Sequence, residues 1–155
     1  MADVYVDILE PKQDPDESIK LLQTFAPLYQ KYWNETQRSL YSDKPFDLHI
    51  QLFSDLWFTG GSKIFIAYDR ATKEMRGFIV GIAFRPMTYN GHVFQIEDMY
   101  DAGDLSIRSA LIEYMFDALR FLGCDEVRID GTLTVPDRFR DWHVAASITT
   151  TRYAK

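Results

Sequence analysis

The stretch that decides the fold is Val93–Ile129, which reads VFQIEDMYDAGDLSIRSALIEYMFDALRFLGCDEVRI. Val93–Met99 has the β-branched and aromatic character of a strand, and an acidic loop follows it. Leu105–Leu122 has apolar residues at helical spacing and precedes Gly123, a residue typical of a helix C-terminus. Val127–Ile129 begins another strand. Because a helix joins the two strands, the pattern predicts that they lie parallel in one sheet.

Two helices are predicted before this unit. The first begins at Pro15 with Asp14 or Asp16 as its N-cap, and Pro27 is expected to kink it or divide it in two. The second spans Phe46–Phe58, where leucines recur at helical spacing and a Gly-Gly pair follows. Both helices therefore lie in the N-terminal part of the chain, ahead of most of the strands.

Apolar and alternating segments predict four further strands, which are Val4–Leu9, Lys63–Tyr68, Arg76–Phe84 and Ile148–Tyr153. Asn90-Gly91 is typical of a tight hairpin turn, so Val93–Met99 is expected to run antiparallel to Gly77–Phe84. A short helix or turn is expected after Pro136. The sequence thus predicts an α/β (α+β) fold in which residues 1–155 form a single domain. Its sheet would be mixed and mainly antiparallel, with helices on both faces.

Composition limits the classes of partner. The chain has 155 residues, a net charge of -6 and a pI near 5.0, which argues against nucleic-acid binding through phosphate neutralisation. No apolar run approaches the roughly 20 residues that cross a bilayer, and no signal peptide is visible, so neither a membrane partner nor secretion is expected. The single cysteine cannot form an internal disulfide, which favours a reducing, cytoplasmic location.

Histidine and cysteine side chains do not indicate a metal site. His49, His92 and His143 have no metal-ligand spacing with one another or with Cys124. His49 and His92 are expected at the surface. Cys124 follows a helix end and is expected to be a buried, unreactive thiol.

Glu97 and Asp98 are the candidate acid–base residues, because they end the strand that leads into the acidic loop. Adjacent strand residues point to opposite faces, so only one of the two can face a cleft. If Ile96 is buried, Glu97 shares the face of Gln95 and Asp98 shares that of Ile96. A carboxylate beside apolar neighbours has its pKa raised toward the range useful to a general base. The alternative is a charged strand end exposed to solvent.

The order of elements is similar to that of the GNAT superfamily of N-acetyltransferases, and the resemblance covers nearly the whole chain. Two N-terminal helices precede a three-strand antiparallel meander, and the crossover helix ends in Leu122-Gly123 before a parallel strand. The resemblance implies acetyl-CoA as the cofactor and acyl transfer to a primary amine of a small molecule or a protein.

The resemblance also implies a cofactor loop. In this family the crossover helix begins at a loop of form Gln/Arg-x-x-Gly-x-Gly/Ala, whose backbone N–H groups bind the pyrophosphate. Counted back from Leu111, Gly103 stands at the Gln/Arg position, and Ser106 and Arg108 stand at the two Gly positions. The implied cofactor-binding residues in the loop are therefore Gly103, Ser106, Ile107 and Arg108.

Three side chains at this loop bear on whether a phosphate fits. The hydroxyl of Ser106 can donate to phosphate, whereas Arg108 could either obstruct the phosphate or pair with it. Asp104 suits an N-cap but would place a negative charge against a bound phosphate. On the preceding strand, the resemblance implies that the backbone N–H near Met99 polarises the thioester carbonyl, and that the strands separate around Met99 and Ile129.

Catalytic roles follow from the resemblance as well. Glu97, or Asp98 as the second choice, would deprotonate the substrate ammonium. The family commonly reprotonates the CoA thiolate with a Tyr after the next strand, but the segment VPDRFRDWHVAA contains none. His143 is the nearest titratable group that could replace it.

A second function of a different class stays open, in which a catalytically inactive GNAT-fold protein acts by binding another protein. Arg108 at a Gly position of the loop and the absence of the Tyr favour this second function. The chain also resembles small acetyltransferase-like proteins of tailed bacteriophages, which implies a virion component or a host-directed factor. A homodimer formed through the C-terminal strand is compatible with either function.

Overall fold

The computed structural model describes residues 3–36, 46–87, 91–130, 137–139 and 143–147. In these ranges the chain forms three α-helices, six strands and one short 3₁₀ turn. In chain order the elements are β1 Val4–Leu9, α1 Pro15–Glu35, α2 Phe46–Phe58, β2 Ser62–Asp69, β3 Met75–Phe84, β4 Val93–Tyr100, α3 Leu105–Phe121, β5 Glu126–Asp130, the 3₁₀ turn Asp137–Phe139 and β6 His143–Ser147.

The six strands form one sheet in the order β1-β2-β3-β4-β5-β6. The pairs β1–β2, β2–β3 and β3–β4 are antiparallel, whereas the pairs β4–β5 and β5–β6 are parallel. The helix α3 makes the crossover between β4 and β5, as a parallel connection requires. The predicted mixed, mainly antiparallel sheet is confirmed.

Helices cover both faces of the sheet because its central strands are apolar on both sides. Along β2, Phe65 and Ala67 join the core under α3, while Ile64 and Ile66 join the core under α1 and α2. The residues that fill the α3 core from the helix are Ile107, Leu111, Met115, Phe116 and Leu119. The other core contains several aromatic side chains, namely Phe25, Tyr29, Trp33, Phe53, Trp57 and Phe78.

The helix α1 has a side-chain N-cap and continues through Pro27. Asp14 is its N-cap, and its carboxylate accepts a hydrogen bond from the N–H of Asp16 at 2.9 Å. The expected division at Pro27 is wrong, since α1 is one helix of 21 residues. Proline removes one backbone hydrogen bond, but burial of the aromatic residues on either side of it, Phe25, Tyr29 and Trp33, holds the helix against the sheet.

Two glycines of β3 allow β4 and α3 to approach closely. A Cβ at Gly77 would lie 2.5 Å from the carbonyl oxygen of Tyr100 and 2.8 Å from Cγ2 of Ile107. A Cβ at Gly81 would lie 2.4 Å from the carbonyl oxygen of Gln95. Real Cβ atoms do not approach other atoms so closely, so both positions require glycine.

The strand β1 lies at one edge of the sheet. Its residue Asp7 turns its carboxylate back onto the backbone and accepts the N–H of Ile8 at 2.9 Å. The same oxygen accepts a hydrogen bond from the hydroxyl of Tyr114 at 3.1 Å, which links the edge strand to α3.

Several predictions concern the ends of the chain and its turns. The 3₁₀ turn after Pro136 is confirmed, whereas Asn90 and the predicted strand Ile148–Tyr153 lie outside the described residues. The strand β6, His143–Ser147, was not predicted. Among the described helices, none has the length and hydropathy that crossing a membrane requires.

Candidate functional site

The described pairing of the parallel strands β4 and β5 is short. Their pairing covers four positions, from Val93 opposite Glu126 to Ile96 opposite Ile129. After Ile96, the described residues of β4 pair only with β3; for example, Met99 of β4 lies opposite Ile79 of β3. Ile129 therefore lies at the end of the described pairing, and Met99 lies three residues beyond Ile96 on β4. The expected separation of the two strands there stays a prediction.

A β-bulge interrupts β4 at the acid pair. Val80 lies opposite Asp98 and Gly81 lies opposite Ile96, so Glu97 is an extra residue on β4. The bulge reverses the alternation of side chains, which places Ile96 in the α3 core and Asp98 on the face of α1. The expectation that Asp98 shares the face of Ile96 is therefore wrong, because it assumed an uninterrupted strand.

Asp98 is enclosed by tyrosines of α1. Its carboxylate, 2% exposed, accepts hydrogen bonds from the hydroxyl of Tyr29 and from that of Tyr32, the latter at 2.5 Å. The hydroxyl of Tyr29 also lies 2.7 Å from Nε2 of His49. Because the Tyr29 hydroxyl donates its proton to Asp98, Nε2 of His49 is the donor in the hydrogen bond between His49 and the Tyr29 hydroxyl. His49 is thus half-buried and not a surface residue, whereas His92 is exposed as expected.

The other two catalytic candidates lie in different places. Glu97 is half-buried on the bulge, one residue beyond the described pairing of β4 with β5. The backbone of His143 pairs with Glu126, which itself pairs with Val93, so His143 is level with the start of β4. Asp98 lies five positions after Val93, roughly 16 Å along a strand. The structure therefore brings together Glu97, Asp98 and the loop, but not His143.

The loop between β4 and α3 is a tight turn that bonds to itself. Ala102 and Gly103 both have left-handed backbone angles, with φ of 54° and 78°. The carboxylate of Asp101 accepts the N–H of Gly103 at 2.8 Å, and its carbonyl oxygen accepts the N–H of Asp104 at 3.0 Å. The loop N–H groups of Gly103 and Asp104 therefore already have acceptors within the loop.

The first turn of α3 is capped in the same manner. The Asp104 carboxylate accepts the N–H of Ser106 at 2.9 Å and its hydroxyl at 2.6 Å. These two hydrogen bonds, the hydroxyl one first, and a further one from the N–H of Ile107 lower the pKa of Asp104. Arg108 lies beside Asp101, with 3.9 Å between its guanidinium and the carboxylate.

A CoA pyrophosphate does not fit this loop. The N–H groups of Gly103 and Ser106 already donate to Asp101 and Asp104. The Ser106 hydroxyl is engaged by the same cap, and Ile107 is fully buried in the core. With two carboxylates against the one guanidinium of Arg108, the loop would also repel a pyrophosphate. The predicted capping role of Asp104 is present, and it opposes the predicted cofactor-binding role.

We predict that the Asp104 cap stabilises the protein in a pH-dependent way. Because the folded state lowers the pKa of Asp104, the stabilisation is complete above the usual Asp pKa and is lost as the pH falls through the lowered value. Asp104→Ala should lower Tm by a few degrees at pH 7, and Asp104→Asn should lower it less, since an amide oxygen also caps. Thermal unfolding between pH 7 and pH 2.5 checks this. A Tm difference from Asp104→Ala that does not shrink in acid would contradict it.

Cys124 has the character of an unreactive thiol. It is half-buried, and burial raises the pKa of its thiol despite the nearby charge of Lys63. Within the ranges that the structure describes, no cluster of His, Cys, Asp and Glu could hold a metal ion.

Comparison with known proteins identifies the fold. No family model matches the chain, and no curated protein matches it. Solved structures do match it. A ribosomal-protein-alanine N-acetyltransferase from Brucella melitensis biovar Abortus 2308 is 17% identical over 96% of each chain, with a TM-score of 0.59. A probable acetyltransferase is 13% identical over 88% of this chain and 84% of its own, with a TM-score of 0.63.

An aminoglycoside acetyltransferase from an uncultured soil metagenomic sample, solved with sisomicin, is also similar. It is 13% identical over 83% of this chain and 78% of its own, with a TM-score of 0.60. The chain therefore has the GNAT fold of the acetyltransferases. At these identities the likeness concerns the fold.

Proposed function

We propose that this chain uses the GNAT fold to bind another protein and does not transfer acyl groups from CoA. The observation that carries the proposal is the loop before α3, where Asp101 and Asp104 accept the hydrogen bonds that a pyrophosphate would need. An anion site at a helix N-terminus requires unoccupied N–H groups and no competing negative charge. Neither requirement is met here, because the carboxylates of Asp101 and Asp104 occupy the N–H groups and also carry negative charge.

The state of Asp98 supports the same proposal. A general base must reach the proton that it removes, directly or through one water. Asp98 is 2% exposed, and the hydroxyls of Tyr29 and Tyr32 occupy one oxygen each. This carboxylate therefore joins α1 to β4 and is closed to a substrate ammonium.

One observation favours a second candidate function, an acyl-CoA-dependent N-acyltransferase acting on a primary amine. Glu97 is half-buried and lies one residue beyond the last described pair of β4 and β5, Ile96 with Ile129. In that function Glu97 would take a proton from the substrate ammonium and leave the neutral amine. The similarity to an acetyltransferase solved with the aminoglycoside sisomicin suggests a small polyamine as one kind of acceptor.

Titration of acetyl-CoA by calorimetry separates the two functions. We expect no binding to the wild-type chain at millimolar acetyl-CoA. The double variant Asp101→Asn, Asp104→Asn keeps the shape of the loop and removes both charges, so its affinity should rise by on the order of 10-fold or more. Circular dichroism of both proteins controls for folding.

Two outcomes would change the conclusion. Micromolar binding by the wild-type chain would overturn the proposal in favour of the acyltransferase, and Glu97→Gln should then abolish turnover without weakening binding. A double variant that binds no better than the wild-type chain would show that Asp101 and Asp104 are not what excludes the cofactor.

A further inference from the structure

A groove lies between the edge strand β1 and the C-terminal half of α3, on the opposite face of the sheet from Asp98. Its apolar lining comes from Ile8, Tyr114, Ala118, Phe121 and Leu122, and its volume is about 380 Å³. That volume lies within the range of roughly 300–1,000 Å³ that is usual for binding pockets. The groove is large enough to accept side chains from a partner.

The outer wall of the groove is an apolar surface open to solvent. Phe121 is 91% exposed and Leu122 is 45% exposed; Phe121 is the last residue of α3 and Leu122 is its C-cap. Large apolar side chains grouped at the mouth of a groove are typical of a protein interaction site. A fully exposed Phe contributes nothing to the core, so the folding of this chain does not require it.

The charged residues that line the groove are acidic. Glu10 lines it from the end of β1 and Asp117 lines it from α3, whereas no Lys or Arg of the described residues belongs to its lining. Burial raises the pKa of the Tyr114 hydroxyl most, the hydrogen bond to Asp7 and the charge of Asp7 raise it further, and the charge of Glu10 contributes least. A partner that fits the groove therefore carries positive charge beside its apolar residues.

We propose that this groove binds a basic amphipathic segment of a partner protein. The segment places a large apolar side chain between Ile8 and Phe121, and its Lys or Arg side chains lie against Glu10 and Asp117. Apolar burial provides the affinity, and the charges select the partner. The inference rests on the proposed function, for which it names the binding surface and the chemistry of the partner.

Two synthetic peptides test the inference against the full-length chain by fluorescence anisotropy. Both are 14-residue amphipathic helices with the same leucines, and their polar positions are lysine in one and glutamate in the other. We expect the lysine peptide to bind at least about 10-fold more tightly than the glutamate peptide. Phe121→Ser should weaken it by about 10-fold or more. The pair Glu10→Lys, Asp117→Lys should reverse the preference between the peptides.

Leu105→Ser is the matched control, because Leu105 is a 74% exposed apolar residue at the other end of α3. It should leave peptide binding unchanged. Equal affinity for the two peptides, absence of binding at millimolar peptide, or equal weakening by Leu105→Ser and Phe121→Ser would each overturn the inference. These outcomes are independent of the acetyl-CoA titration, so failure of the groove and failure of the proposed function are distinguishable.

Discussion

Gly81→Ala is expected to destabilise the protein by about 3 kcal/mol or more. The new methyl group would lie 2.4 Å from the carbonyl oxygen of Gln95 and 2.4 Å from the ring of Phe94. Neither neighbour can move freely, because one is backbone of the paired strand and the other is fully buried. Relief of the clash requires β3 and β4 to separate next to the bulge at Glu97.

Gly61→Ala is the matched control for this prediction. Its Cβ would lie 3.5 Å or more from Leu56, an ordinary contact, so a change within about 1 kcal/mol is expected. Urea unfolding followed by circular dichroism gives both values. If Gly81→Ala unfolds at the same urea concentration as Gly61→Ala, the close approach of β4 to β3 is not as the structure shows. Gly77→Ala provides a second test, with a backbone oxygen 2.5 Å from its Cβ.

Asp98→Ala should produce a second large loss of stability, about 2–3 kcal/mol. It removes the acceptor shared by the hydroxyls of Tyr29 and Tyr32 and leaves a space in a buried site. Asp98→Asn should cost less, because one oxygen can still accept a hydrogen bond. Chemical unfolding at neutral pH measures both variants.

Two comparisons make the Asp98 prediction specific. Asp55→Ala removes an exposed carboxylate from α2 and should be nearly neutral. In a double-mutant cycle, Tyr32→Phe should cost less in the Asp98→Ala background than in the wild-type chain, since the two residues share a hydrogen bond. Full additivity, or an Asp98→Ala loss no larger than that of Asp55→Ala, would mean that the contact does not stabilise the fold.

Long periodic segments of this chain could be predicted from sequence because their local signals agree with one another. Phe46–Phe58 has the predicted bounds, and α3 ends one residue before the predicted Leu122. Gly123 has a φ of 81°, as a helix C-terminus of this kind requires. The strand β6 was missed because it has five residues, HVAAS, three of which have low or moderate strand preference.

The arrangement of the candidate site depended on information that local sequence does not contain. The bulge at Glu97 arises from the pairing of β4 with β3, although a glycine inside a strand, Gly81, was a signal for one. The contact between Tyr29 and Asp98 joins residues 69 positions apart, so helical spacing indicated only that Tyr29 is buried. The sequence predicts Asp104 as a cap, but it does not show that Asp101 and Asp104 accept the N–H groups of Gly103 and Ser106.

The carboxylate of Asp7 has a consequence for how the protein behaves at high concentration. An exposed edge strand offers its N–H and C=O groups to any other chain, and this is a common start of aggregation. Asp7 holds the N–H of Ile8 and is itself fixed by the hydroxyl of Tyr114. A neighbouring molecule would have to break both hydrogen bonds and would meet a negative charge before it could extend the sheet. We therefore expect Asp7 to disfavour extension of the sheet by a second copy of the chain.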